Sequence, residues 1–461
     1  MPLILPGNVA SATASTGYDV DNSLRWNDGD SPYMSRANGT PTNADQWTFS
    51  IWVKRGALGS EQKLIAVEGD SLNNDAISFD SSDQLRWYGI TSSSTYMDVK
   101  TNRVFRDPSA WMHLCFIYDS GQVTDSDRAK IYVNGTQETS LATSTYPDQN
   151  KDSYINTASK TTIIGRQSWA ASGFFDGYMA EVTFCDGQAL APTSFGEFDS
   201  DSPTIFKPID VSGLTFGTNG FYLDFEASDN LGNDANGGTD FTEFNLAAAD
   251  QASDSPTNNF CVMNPLAPWT NTTYSEGNCI ASGAASAWQL ATGTIGVTKG
   301  KWYWEVLFSG GTAGNYHAGV ADETANDFGG THGQAGITNF YNGDGGEMYK
   351  GGADTFTSAD YGTMDGSSDI VGIALNVDDS QISIYKNGSI IVTNFGLDTP
   401  ANLLFPLTTQ HGSSQVSKYN FGGCSAFTIS SGNTDGTYGN FEYAPPSGYY
   451  ALCTKNLAEY G

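Results

Sequence analysis

Among residues that do chemistry, histidine is scarce: His113, His317, His332 and His411 are the only four. No pair has the His-Glu-x-x-His spacing that holds zinc, and no Gly-x-Ser-x-Gly run offers a nucleophile elbow. His113 and His317 fall in strand-like runs and read as packing residues. His332, in Gly329-Gly-Thr-His-Gly333, falls in a loop and reads as a ligand contact. The cysteines (Cys115, Cys185, Cys261, Cys279, Cys424, Cys453) are dispersed, without a Cys-x-x-Cys pair. That pattern reads as buried thiols rather than a disulfide framework or zinc site. Oxygen donors do cluster, in Asp229-Asn-Leu-Gly-Asn-Asp-Ala-Asn-Gly-Gly-Thr-Asp240. Calcium takes about six to eight oxygens from such loops. Asp234, Asn236 and Asp240 are therefore the candidate metal ligands and calcium the one cofactor to expect, although no EF-hand spacing is complete.

Aromatic residues make up 13% of the chain. Most, including Trp52, Trp111, Trp302 and Trp304, belong to strand-like runs and read as core. Trp169, in Gln167-Ser-Trp-Ala-Ala-Ser-Gly173, and Tyr341 and Tyr349, in a glycine-rich stretch, read instead as loop aromatics. An aromatic face offers a sugar ring an apolar, weakly polarised platform, so Trp169, Tyr341, Tyr349 and His332 form the candidate ligand-binding set.

The elements that must position these residues are short strands. Trp47-Thr-Phe-Ser-Ile-Trp-Val53 places large apolar groups at 47, 49, 51 and 53, a period of two that lays one face on a core. Trp111-Met-His-Leu-Cys-Phe-Ile-Tyr118 is more continuously apolar, as expected of a central strand. Lys301-Trp-Tyr-Trp-Glu-Val-Leu-Phe308 and Ile370-Val-Gly-Ile-Ala-Leu375 repeat the theme in the second half. The pattern Ile-Tyr-x-Asn-Gly occurs twice, at Ile131 to Gly135 and Ile384 to Gly388. Asn-Gly between strand residues is a strong hairpin signal, because both central positions of a type I′ turn need positive φ. One local solution in each half predicts two sandwiches of similar architecture. The expected division is an arm over 1–22, a first sandwich over 23–200, a polar connector over 201–262 whose Phe221-Tyr-Leu-Asp-Phe225 reads as a strand closing one sandwich, a second sandwich over 263–452 and a tail over 453–461.

Composition bounds the partners. The 461 residues carry 21 Lys+Arg against 51 Asp+Glu, a formal charge of −30, yet only 16% are charged and 39% are hydrophobic. Disorder needs sparse apolar residues and dense charge, so the chain is expected to fold. Without a Lys/Arg cluster, nucleic acid is not an expected partner. No apolar run approaches the roughly 20 residues that span a bilayer, so membrane insertion is not expected either. Met1-Pro-Leu-Ile-Leu-Pro6 lacks the basic start of a secretory signal.

Four motifs in order make the first block resemble the laminin-G-like/concanavalin A-like sandwich: Phe49-Ser-Ile-Trp-Val-Lys-Arg55, Trp111-Met-His-Leu-Cys-Phe116, Lys130-Ile-Tyr-Val-Asn-Gly135 and Phe175-Asp-Gly-Tyr-Met-Ala-Glu-Val-Thr-Phe184. The second block resembles a SPRY domain through Gly300-Lys-Trp-Tyr-Trp-Glu-Val306, Ala318-Gly-Val-Ala321, Ile384-Tyr-Lys-Asn-Gly388, Tyr419-Asn-Phe-Gly422 and the closing Phe441-x-Tyr-x-Pro-Pro-x-Gly-Tyr449. The resemblance implies an all-β chain of two antiparallel concanavalin A-like β-sandwiches, the second binding through loops at one end. Sandwiches of this shape also host retaining glycosidases, which resemble Glu-x-Asp-x-x-Glu on one strand, with nucleophile and acid about 5 Å apart. Glu197-Phe-Asp199-Ser-Asp-Ser202 comes nearest, but it ends in serine and its flanks lack strand character. No catalytic residue is therefore expected.

With Gly17-Tyr-Asp-Val-Asp-Asn-Ser-Leu-Arg25 ahead of the two sandwiches, the whole looks like virion proteins of tailed bacteriophages. That resemblance implies a non-enzymatic tail fibre or tail appendage, made in the host cytoplasm and displayed on the particle exterior. Its expected partners are other virion proteins, through the N-terminal arm, and a host surface glycan or receptor. A homo-oligomer is expected, with a trimer favoured. Capsid decoration or tail scaffolding without a host ligand, and polysaccharide degradation, are the alternatives left open.

Overall fold

A computed structural model describes residues 17–67, 69–266, 272–283, 288–310, 316–325, 337–343, 345–351, 361–364, 368–399, 401–411 and 415–461. The chain divides into two compact units, one ending at Thr257 and the other running from Asn258 to Gly461. Both are two-sheet structures, antiparallel except where Tyr450–Ala451 runs parallel to Lys301–Ser309 in the second.

In the first unit, one sheet contains His113 and orders its strands Thr136–Gln137, Ala129–Val133, Met112–Asp119, Gln46–Arg55, Gly177–Asp186, Ser23–Trp26 and Gln251–Ala252, with Phe221–Leu223 also on Gly177–Asp186. The other contains Lys63 and runs Leu141–Thr145, Ser94–Val104, Gln84–Thr91, Asn74–Phe79, Gln62–Val67, Thr161–Ile164, Tyr33–Ala37, Thr242–Phe244. The period of two holds. Trp47, Phe49, Ile51 and Val53 are fully buried in the core between the sheets, while Trp52 packs on the opposite face with Val20, Ala180 and Phe206. The Met112–Asp119 strand is covered on both sides. Leu114, Phe116 and Tyr118 enter the main core, and Cys115 and Ile117 join a second cluster with Phe195, Val211, Phe216 and Tyr222.

The expected connector over 201–262 is largely part of this sandwich. Its strands Phe221–Leu223, Thr242–Phe244 and Gln251–Ala252 pair with Gly177–Asp186, Tyr33–Ala37 and Ser23–Trp26. The first is the strand expected at Phe221-Tyr-Leu-Asp-Phe225; the other two are too short to show a period of two, so the polar composition hid them. The arm also ends earlier than expected. Val20 is buried, and the Tyr18 hydroxyl donates to Glu181; residues 1–16 lie outside the described residues.

In the second unit, one sheet orders Thr272–Ser275, Ile280–Gly283, Val416–Asn420, Lys301–Ser309, Ile370–Asn376, Gln381–Lys386 and Ser389–Gly396, with Tyr450–Ala451 beside Lys301–Ser309. The other orders Trp288–Thr292, Leu404–His411, Tyr316–Asp322, Ile337–Asn342 and Glu347–Lys350. Trp302, Trp304, Val306, Val371, Ile373 and Leu375 meet Ala318, Val320 and Tyr341 in the core. The expected tail is a helix, Thr454–Tyr460, whose Leu457 is buried in the same core.

The two Asn-Gly turns have the predicted backbone: φ is +48° and +74° at Asn134 and Gly135, and +48° and +77° at Asn387 and Gly388. Each asparagine also clasps the neighbouring strand. Asn134 Oδ1 accepts the His113 amide at 2.8 Å, and Asn387 Oδ1 accepts the Ile370 amide at 2.9 Å. Each glycine lies under an aromatic ring; a Cβ would stand 2.6 Å from Phe206 or from Tyr443.

Candidate functional site

The buried chemical groups are mostly spent on structure. His113 is fully buried with Nε2 2.8 Å from Ser50 Oγ, and burial pushes its imidazole down to about 3. A serine–histidine pair sealed in this way reaches no substrate. His317 is likewise buried, with Nδ1 2.6 Å from Thr409 Oγ1. Glu181 sits on a bulge of the Gly177–Asp186 strand with φ +51°. Burial raises its carboxyl to about 8, and Tyr222 donates to both its oxygens at 2.9 and 2.8 Å.

Glu197 and Asp199 are both held by Lys207, at 3.3 and 3.4 Å. Contrary to expectation, a short strand begins here: Gly196–Phe198 pairs with Phe206–Pro208. Ser202, in the place of the third carboxylate, donates its backbone amide to Asp199 at 2.9 Å. That bond, followed by one from the Asp201 amide, holds the Asp199 carboxyl below its ordinary range.

The calcium expectation does not fit the geometry. Asp234 is buried with its Oδ2 3.2 Å from Arg36 Nη1, and its Oδ1 accepts the amides of Tyr222 and Asn236. Asp240 accepts the Asp234 amide and the Asn230 side chain, and Asn236 is exposed. A guanidinium stands where the ion would be needed. Among the described residues, no three His, Cys, Asp or Glu side chains gather as a metal site.

The candidate ligand contacts fall in different units, Trp169 in the first and Tyr341 and Tyr349 in the second. Trp169 lies in a loop as expected and is 40% exposed. His332 lies outside the described residues. Tyr341 and Tyr349 are in strands, not loops, and both are buried. The Tyr341 hydroxyl donates to the Gly362 carbonyl, and Tyr349 stacks on Phe340 at 4.8 Å. The glycines around them turn a short hairpin, Ile337–Asn342 to Glu347–Lys350, which the glycine-rich composition disguised as one loop.

The loop that carries Trp169 runs alongside the Gln62–Val67 strand, and the Lys63 sheet turns one face away from the core. Residues directly opposite across strands point to the same side, so register defines what that face presents. One row runs Asp98, Tyr88, Ala76, Ala66, Ile163, Ser35, Thr242. The next runs Lys100, Arg86, Ser78, Lys63. Beyond Lys63 the Gly165–Phe175 loop is pinned alongside, with the Lys63 amide donating to Gly173 and the Gly165 amide to Leu64. Farther along, the Arg166 guanidinium lies 3.8 Å over the Tyr33 ring, which stacks on its cross-strand partner Phe244 at 4.2 Å.

Three cations here have acid partners: Lys63 with Glu61 at 2.6 Å, Arg86 with Asp98 through two bonds of 2.9 Å, and Lys100 with Asp80 at 3.2 Å. Arg166 has no carboxylate partner among the described residues. Ser78 Oγ, Arg166 Nε and Ser168 Oγ are buried without a hydrogen-bond partner, while the Gln167 side chain donates to the Tyr88 phenol. Sequence reasoning found Trp169 but missed this setting. The basic residues are separated by many positions along the chain, and only strand register sets them side by side.

With both folds described, their class is clear: two concanavalin A-like sandwiches. Residues 28–193 match the concanavalin A-like lectin/glucanase superfamily in its laminin G form, and residues 301–423 match the SPRY domain. The chain thus carries a concanavalin A-like/laminin G domain followed by a SPRY domain. Similar solved structures include the SPRY domain of human HERC1, at 18% identity over 36% of this chain and 99% of that one, with a TM-score of 0.30. A native heptameric SAP-like pentraxin from Limulus polyphemus is 15% identical over 38% of this chain and 80% of its own, with a TM-score of 0.29. No curated protein matches.

Proposed function

We propose that the chain is a non-enzymatic recognition protein of a tailed-phage particle, a tail fibre or tail appendage whose sandwiches meet a host surface glycan or receptor. The observation that carries the recognition reading is the exposed Trp169, on a loop pinned beside the Gln62–Val67 strand. An exposed aromatic ring can stack on a sugar, whereas the carboxylates nearest a hydrolytic pattern, Glu197 and Asp199, are clamped by Lys207. The particle reading rests on the resemblance of the N-terminal stretch and the domain pair to virion proteins.

In this reading, other virion proteins hold the arm, and several copies, a trimer by preference, stand on the particle exterior. The test is electron microscopy of particles labelled with antibody against this chain. Label at the tail tip or fibres supports the proposal. Label spread over the head makes the chain a decoration protein, and absence from purified particles removes the virion role altogether. Release of new reducing ends from host polysaccharide by the purified protein would refute the non-enzymatic part.

A further inference from the structure

We propose that Tyr18, Glu181 and Tyr222 form a proton-operated latch, which pins residues 17–22 to the first sandwich while Glu181 keeps its proton and lets them go when the proton leaves. This goes beyond the recognition reading and needs no part of it. The latch begins with a bulge. Ala180 lies opposite Trp52 and Thr183 opposite Ser50, so Glu181 and Val182 together face Ile51. Val182 enters the main core, and the extra residue, at φ +51°, brings its carboxyl to Tyr222, which packs in the separate cluster of Cys185 and Phe216. Bulges re-aim side chains in this way, and a residue other than glycine held at such a φ is strained.

Three groups meet there in a triangle. The Tyr222 oxygen is 2.9 and 2.8 Å from the two carboxyl oxygens, the Tyr18 oxygen is 3.2 Å from Glu181 Oε2, and the phenol oxygens are 3.0 Å apart. Each side of the triangle needs one proton between its oxygens. Each phenol brings one, and the carboxyl must bring the third. An ionised Glu181 leaves one side as two facing oxygens with no proton between them. The surrounding charges oppose ionisation too. Those facing the cluster are acids: Asp224 and Glu226 act on Glu181, Asp210 on Tyr18, and Asp21 on Glu226. Cations on adjoining strands are committed elsewhere, Lys54 to Asp254 at 2.7 Å, Arg25 to Asp250 at 3.1 Å and Lys207 to Glu197 and Asp199. His113 is buried and neutral. Burial, with Asp224 and Glu226 adding to it, raises the carboxyl to about 8.

Of the two phenols, Tyr18 is the one that can leave. Tyr222 belongs to the Phe221–Leu223 strand, paired with Gly177–Asp186, and its amide donates to Asp234 at 3.0 Å. Tyr18 is half-buried and precedes the first strand. Its segment is also held by Val20, whose side chain packs with Trp52 and Phe206 and whose amide donates to Thr257 Oγ1 at 3.0 Å. Once Tyr18 swings away and water reaches Glu181, the carboxyl returns to its ordinary value of 4.5. Between about pH 4.5 and 8 the open form has given up a proton that the closed form keeps, so each pH unit favours opening about tenfold.

The test is hydrogen exchange of the full chain between about pH 5 and 8, read at the Val20 amide and across residues 17–22, with each rate divided by the intrinsic rate at that pH. Protection of 17–22 should fall about tenfold per pH unit and stay below that of Phe49 to Val53 in the core strand. In Glu181→Gln, which has no carboxyl proton to lose, the slope should vanish. Tyr18→Phe removes one hydroxyl from a half-buried side chain and leaves the fold intact. It should lower protection of 17–22 about tenfold at about pH 5 while Phe49 to Val53 keep theirs. Protection of 17–22 that ignores pH in the unmodified chain, or a slope that persists in Glu181→Gln, would overturn the latch. So would equal protection of 17–22 and 49–53, because the segment would then part only with the whole sandwich. Should Glu181→Gln fail to fold, the unmodified chain and Tyr18→Phe decide the matter by the same readings.

Discussion

Asn134 and Asn387 show how much one side chain can settle. Each adopts a positive φ, closes a hairpin with its glycine, and uses its amide oxygen to accept an amide at the start of the adjacent strand, that of His113 or of Ile370. Aspartate could accept the same bond, but in this acidic chain it would add another negative charge. Asn387→Ala should remove the bond and strain the turn, costing about 1–3 kcal/mol, read as a lower denaturant midpoint for the second unit. At Glu181 the prediction concerns pH. Its carboxyl rises from 4.5 to about 8 on burial, so the folded state binds a proton that the unfolded state gives up. The stability this contributes is complete below about pH 4.5 and is lost as pH rises through about 8. Glu181→Gln should flatten the decline of the first unit's melting temperature over that window while keeping an acceptor for Tyr222. An unchanged slope would place the titration elsewhere.

At the scale of elements, each sandwich is completed by chain that its own strands do not announce. In the second unit, Glu305 lies on the Lys301–Ser309 strand yet accepts the amides of Glu442 and Tyr443 at 3.0 and 2.8 Å and the Asn420 side chain at 3.1 Å. Glu305→Leu would leave those amides unpaired and should cost about 2–4 kcal/mol. Amide exchange should speed up at 440–443 before it does at Ile370–Asn376. The same logic explains what could be read from the chain. Strands with one face on the core, such as Gln46–Arg55, advertise themselves by period, and the Asn-Gly turns by chemistry. The sandwich of 23–200 was therefore legible, and so was a closing strand in Phe221-Tyr-Leu-Asp-Phe225, but the closing strand Thr242–Phe244 was not. Arg36, whose guanidinium joins Asp234 to the carbonyls of Asn219 and Gly220, holds that segment through contacts about 180 residues apart in sequence. Tyr341 and Tyr349 were misplaced for the same reason: hairpin strands beside glycines look like loop until their partners are known. Of the candidate site, Trp169 could be found from its neighbours in the chain. Lys63, Ser78 and Arg86 could not, because only register aligns them.

For the whole molecule, charge and copy number bear on one question: whether a shallow surface site could serve attachment. A site of millimolar affinity contributes roughly −4 kcal/mol, too little for one copy to hold a particle to a cell. Several copies on one particle turn later contacts into intramolecular ones and can raise avidity by about 10²–10⁴. The net charge of −30 would keep such crowded copies from adhering to one another. Attachment in this scheme depends on the arm, yet the sandwich does not, because Tyr18 and Val20 already belong to the first unit. Deleting residues 1–16 should therefore leave both thermal transitions and oligosaccharide binding unchanged while abolishing incorporation into particles. Extending the deletion through residue 22 should also lower the first unit's melting temperature, since it removes the Tyr18 hydroxyl from Glu181 and Tyr222 and the Val20 side chain from beneath Trp52 and Phe206. Normal incorporation of the shorter deletion would show that the particle holds this chain by another surface, and the arm would lose its proposed role.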